Sequence, residues 1–131
     1  MADIAYICGT KTDFWTLEEV RKLLPLLIRI SQRREKAIQK AMNDQRFYMK
    51  SGAPQSQITI CDDLVGKEMA KWGKMVYKLG GKVYRDGWVG FDFGAGVYLW
   101  HLGEKDINWY MGFHDDPVIQ RRPLTPVGLL K

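Results

Sequence analysis

The chain has 131 residues, 46% of them hydrophobic and 27% charged, the make-up of one soluble globular domain large enough to bury a core without disulfide or metal staples. Lys and Arg number 20 against 15 Asp and Glu, a net charge of +5 that accommodates an acidic partner without pointing to one. The longest apolar run, LLPLLIRI from Leu23 to Ile30, is too short and too charged to span a bilayer, so no membrane role is expected.

The opening residues, MADIAYICGTK, lack a basic region followed by a long apolar stretch, so no export signal is read and a cytoplasmic location is expected. Cys8 and Cys61 stand alone, with no C-x-x-C and no His at ligand spacing; both are expected as small buried apolar residues.

Thr16-Leu17-Glu18-Glu19 has the form of a capping box, with Phe14 or Trp15 and Val20 placed as a hydrophobic staple. A helix is predicted from about Leu17 to Met49, broken or kinked by Pro25 and stopped by Ser51-Gly52-Ala53-Pro54. A second helix is predicted from about Gln57 to Leu79, ending at Gly80-Gly81. On it Cys61, Val65, Glu68, Trp72, Met75 and Leu79 form a seam for an antiparallel neighbour, and Val20, Leu24, Leu27, Ile38, Ala41 and Tyr48 supply the matching stripe. Arg34 and Glu68 interrupt these stripes, and long side chains reaching water at the seam's edge explain them better than a buried ion pair. Arg29, Arg33, Lys36 and Lys40 share one face of the first helix. Without interleaved aromatics, and diluted by Asp13, Glu35 and Asp44, they read as a solvated face, making nucleic acid an unlikely partner.

Beyond Gly81 the pattern turns to strands: KVYR, WVGFDF, VYLWHL and INWYMGF. If Gly94-Ala95-Gly96 and Gly103-Glu104-Lys105-Asp106 are the hairpin loops, Phe93 faces Val97, Phe91 faces Leu99, Val89 faces His101 and Trp100 faces Trp109. One sheet face then carries Trp88, Gly90, Asp92, Tyr98, Trp100, Leu102, Ile107, Trp109 and Met111, with Gly90 leaving room for the Trp100 indole. Both faces are apolar, and a helical hairpin covers only one. The other needs the N-terminal segment, the tail HDDPVIQRRPLTPVGLLK, a second copy or a ligand. A homodimer through this face or the tail is one expectation.

Of the two histidines, His101 and His114, the second sits in His114-Asp115-Asp116; with Glu104 it has no metal-motif spacing, so neither a metal nor a cofactor is expected. Asp92 is the acid that stands out, since among Trp88, Tyr98 and Trp100 it needs a cation, and Arg121 or Arg122 is the expected partner.

"FWTLEEVRKLLPLL", "LGGKVYRDGWVGFDF" and "VYLWHLGEKDINWYMGF…QRRPL" together resemble a bacterial family of small proteins, domain of unknown function 2203. The resemblance places the family's Asp on Asp92, its Trp on Trp100, its Glu on Glu104 and its Arg on Arg121. It also places the aromatic of a Trp-His pair on Tyr110, with Met111 where the family has His. The family carries no established activity, so the resemblance bears on fold more than on function.

The expected fold is α+β, a long antiparallel helical hairpin (about 17–79) packed on a small antiparallel sheet of three to four strands with a tail (about 82–131), in a single domain. The expected function is a non-enzymatic interaction or small-ligand-binding module using the aromatic sheet face. Its ligand-binding candidates are Asp92, Tyr98, Trp100, Glu104, Trp109, Arg121 and Arg122. An enzyme with Asp92 or His114 as acid–base group beside Arg121 is the alternative, and a weak nucleic-acid binder through the helix stripe comes third.

Overall fold

A computed structural model describes residues 14–124; Cys8, Asp13 and the tail beyond Leu124 lie outside them. The fold is α+β. Helices α1 (Leu17–Lys50) and α2 (Gln55–Lys78) form a hairpin, followed by a five-stranded sheet of β1 (Lys82–Val83), β2 (Trp88–Asp92), β3 (Val97–His101), β4 (Trp109–Met111) and β5 (Arg122–Pro123). The strands lie in chain order, every neighbour antiparallel. The strand beyond the expected four is β5, contributed by the tail. No helix among the described residues is long and apolar enough to cross a membrane.

The described residues group into two compact units, one of residues 14–28 with those from Val76 onward, the other Arg29–Met75. In the first, the capping box forms as the sequence predicts. The Thr16 N–H donates to Glu19 Oε1 at 2.9 Å, and the Glu19 N–H donates to Thr16 Oγ1 at 3.1 Å. Helix α1 runs through Pro25 without ending, the proline side chain lying exposed. Trp15, Val20, Leu24, Leu27, Val76 and Leu79 are buried at the base of the hairpin. The Trp15 ring meets the edge of Phe91 at 5.2 Å, and the Trp15 N–H donates to Asp92 O at 2.7 Å, which ties the entry of α1 to the end of β2.

The second unit is the distal hairpin. Trp72 donates its indole N–H to the buried Ser31 hydroxyl at 2.9 Å, and Cys61 and Ala41 are buried with it. Arg34 lies over the Trp72 ring at 4.9 Å and pairs with Glu35; no ion pair joins it to Glu68 among the described residues. Arg29, Arg33, Lys36 and Lys40 are all exposed. Helix α1 ends in a Schellman motif, with Gly52 at φ 72° and the Ala53 N–H donating to Tyr48 O at 2.9 Å.

The register departs from expectation twice. Asp92 pairs with Val97 and Val89 with Trp100, so the β2–β3 loop runs from Phe93 to Gly96, one residue earlier than its glycines alone indicate. The cause is local: Asp92 Oδ1 accepts the Gly94 N–H at 2.8 Å and the Phe93 N–H donates to Gly96 O at 3.0 Å, so the turn starts at Phe93. Beyond β3, Leu99 rather than Trp100 pairs with Trp109, because the chain turns at once from His101, whose carbonyl accepts the Glu104 N–H at 3.0 Å.

Each slip of one residue turns β3 over, and the two cancel between β2 and β4. Face A therefore carries Trp88, Gly90 and Asp92 of β2, Val97, Leu99 and His101 of β3, and Trp109 and Met111 of β4. Tyr98 and Trp100, expected beside Trp88, lie on the opposite face B with Val89 and Phe91. The ring over Gly90 is that of Tyr84: a β-carbon there would come within 2.7 Å of the tyrosine and 2.5 Å of Val97.

Face B is covered by the hairpin base through Trp15 and Phe91. Face A is covered by the segment from Gly112 to Arg121, with Val118 packed against the buried Trp88, Val97, Leu99 and Met111. Cover from within the chain is one of the alternatives the sequence leaves open for this face.

Candidate functional site

Two turns and one irregular segment build an open cleft of about 370 Å³ at one end of face A. Trp88, His101 and Trp109 form its floor, Asp86 and Glu104 stand on its rim, and Val118 and Arg121 close it from the covering segment. Trp88 and Trp109 meet nearly at right angles, centroids 6.4 Å apart, and the His101 ring lies 4.7 Å from Trp88. Into the corner between the indoles Arg121 places its guanidinium, 4.8 Å from the Trp88 ring and 4.6 Å from that of Trp109. Its Nη1 donates to the carbonyls of Pro117 at 3.2 Å and Val118 at 2.9 Å. Cation–π attraction and these bonds fix the side chain and pin the segment that carries it.

Glu104 organises the β3–β4 turn. One carboxylate oxygen accepts the His101 N–H at 2.9 Å; the other accepts Asn108 Nδ2 at 3.2 Å and the Trp109 indole N–H at 3.1 Å. Its own carbonyl takes the Trp100 indole N–H at 2.8 Å, so both indoles of the turn are oriented by this one residue. Opposite, Asp86 adopts φ 61°, a left-handed conformation that a non-glycine residue enters at a cost of roughly 1–2 kcal/mol. That turn brings the Asp86 carbonyl to 2.7 Å from His101 Nε2, while Nδ1 lies 2.9 Å from Leu102 O.

The covering segment has a second anchor. Arg85 grips Asp116 through Nε and Nη2, and Asp116 also accepts the Val118 N–H at 2.9 Å. The Arg85 hydrogen bonds, then the backbone one, hold the Asp116 carboxyl below its ordinary value; the same pairing raises Arg85. Burial, then the Asp92 charge, pushes the Tyr84 phenol up.

Of the residues expected at a site, Glu104, Trp109 and Arg121 come together in the cleft. Asp92 does not: it is exposed at the far end of β2, where it caps its own turn, and no ion pair joins it to Arg121 or Arg122. The expected Asp92–arginine pair is thereby corrected, because Asp92 stands in water and its carboxylate accepts the Gly94 N–H of its own turn. Arg121 instead lies against the ring faces of Trp88 and Trp109. Arg122 is exposed on β5; Tyr98, half buried, stacks on Phe93 at 4.4 Å; Trp100 is buried on face B. His114 is exposed and lines no part of the cleft.

Asp86, Trp88, His101 and Val118 complete the cleft but were not singled out as ligand-binding residues. For Trp88 the signal was present, since its face was assigned correctly. His101 was hidden by the slip that turned β3 over, and Asp86 and Val118 carry no sequence pattern of their own. Among the described residues no three His, Cys, Asp or Glu side chains come together as a metal set. No protein-family model, curated protein or solved structure matches this chain.

Proposed function

We propose that the chain is a non-enzymatic small-ligand-binding module whose ligand sits in the face A cleft against Trp109, Val118 and Arg121. One observation carries this reading: Glu104 and His101, which line the cleft, are already turned to partners within the protein. Both Glu104 oxygens accept N–H donors, and both His101 nitrogens face backbone carbonyls. What remains is a rigid aromatic surface with a few oriented polar groups, which is how binding sites for small molecules are built. The residues of the enzymatic alternative, Asp92 and His114, lie away from Arg121, which favours binding over acid–base catalysis. The strained Asp86 supports the same location, because backbone strain persists where surrounding structure requires it.

The test is a fragment screen of the ¹⁵N-labelled full chain by NMR. Binding should move the indole N–H signals of Trp88 and Trp109 and the Val118 amide together. Fragments that act only elsewhere, or none acting at all, would count against the proposal.

A further inference from the structure

Resting on that reading, we infer that the ligand of the cleft is a small organic carboxylate, held by the Nε/Nη2 edge of Arg121. A guanidinium offers a carboxylate a planar fork of two parallel N–H groups, and the side-on fork is made by Nε with Nη2. In Arg121 the protein occupies the other nitrogen: Nη1 donates to Pro117 O and Val118 O. Nε is buried and has no hydrogen-bond partner, and Nη2 has no acceptor among the described residues. A buried N–H left without an acceptor is costly. Arg34 Nε shares that state, but its guanidinium meets Glu35, whereas Arg121 meets no carboxylate among the described residues, so its edge points to an acceptor brought from outside.

Charge leads to the same class. Arg21, Arg34 and Arg85 are paired with Asp106, Glu35 and Asp116, while Arg29, Arg33, Arg46 and Arg122, without an ion pair among the described residues, are exposed to water. Arg121 lies within the fold against two indoles, and no carboxylate of the described residues is within ion-pairing distance. Glu104 shares the cleft but directs its oxygens to His101, Asn108 and Trp109. The guanidinium plane is already set by stacking and by the two carbonyls, so seating an anion requires little further ordering of the side chain. Nε is closed to a water-sized oxygen as it stands, so a carboxylate reaches it through a small displacement of the guanidinium, which moves the Arg121 Nε–H signal.

The experiment follows the Arg121 Nε–H and the Trp88 and Trp109 indole N–H signals of the labelled full chain. It is titrated with acetate and separately with acetamide, its neutral isostere, with ionic strength held by sodium chloride. Acetate should move Arg121 Nε–H saturably, with half-saturation on the order of millimolar for so small a ligand, and acetamide should not. Arg121→Lys keeps the charge but removes the fork, and should weaken the response at the indoles at least about tenfold. Should that variant fold poorly, the acetate–acetamide comparison on the unaltered chain decides by itself. Equal responses to acetate and acetamide overturn the inference, as does a response to sodium chloride alone. If neutral fragments move the indoles while acetate does not, the carboxylate class falls and the binding reading stands. Silence from acetate and every fragment overturns both.

Discussion

Arg121 shows how one side chain closes a sheet face. It spans two indoles with its planar head and reaches two carbonyls with Nη1. Lysine supplies the charge and donors on one nitrogen, but not the planar head that stacks on both indoles. Arg121→Lys should therefore cost about 1–3 kcal/mol, the range of a cation–π contact with a charged hydrogen bond lost. Urea unfolding followed at the tryptophans measures it, with an unchanged m-value marking a true loss of stability. An effect near zero would mean that the covering segment holds itself without the stack. Glu104 was legible as a turn residue, but its three N–H partners come from His101, Asn108 and Trp109, and only the folded turn brings them together.

The decisive element is the segment from Gly112 to Arg121, which has no regular structure yet buries Pro117 and packs Val118 on face A. The second anchor of this segment, Arg85 with Asp116, makes its docking depend on pH. The Asp116 carboxyl is lowered by Arg85 and by the Val118 N–H. A carboxyl lowered in the folded state contributes stability that is complete above its unfolded value and is lost as pH falls through its folded value. Docking should therefore loosen on acidification below about pH 4, where carboxylates ordinarily take up protons. Acrylamide quenching of the indoles against pH checks this. Asp116→Asn should show the looser state at neutral pH and a flatter profile below about pH 4. An identical acid profile in the variant would assign the effect to other carboxylates. At this scale the capping box and the glycine stops gave α1 and α2 to within two residues at each end. Loop glycines alone misplaced β3, because Asp92 begins the first turn one residue before them.

The whole molecule divides into units of unequal core. Among the described residues of the distal hairpin, Ile30, Ala41, Cys61 and Trp72 are its buried apolar side chains, while Phe47, Met49, Ile60 and Leu64 are exposed. A unit with so little burial opens at lower free energy than one with a filled core. Native-state hydrogen exchange should show the amides of the hairpin between Arg29 and Met75 losing protection before those of β2 and β3. Trp72→Ala should remove most of that protection, since truncating a buried tryptophan costs about 3–5 kcal/mol and also leaves Ser31 without its donor. Simultaneous exchange of both units would show instead that they unfold as one.

The sequence by itself determined the elements and the apolar character of both sheet faces, because caps, turn residues and hydrophobic periodicity act over a few residues. It also placed Trp88 and Trp109 on one face, through two register errors that cancel. Only the tertiary structure decided which residues of β3 join them, what covers them, and that Arg121 rather than Asp92 lies between the indoles. Register depends on hydrogen bonds inside the turns, and coverage depends on a segment without periodicity docking across the sheet through Asp116, Val118 and Arg121. Such contacts join residues far apart in the chain, and no local pattern encodes them.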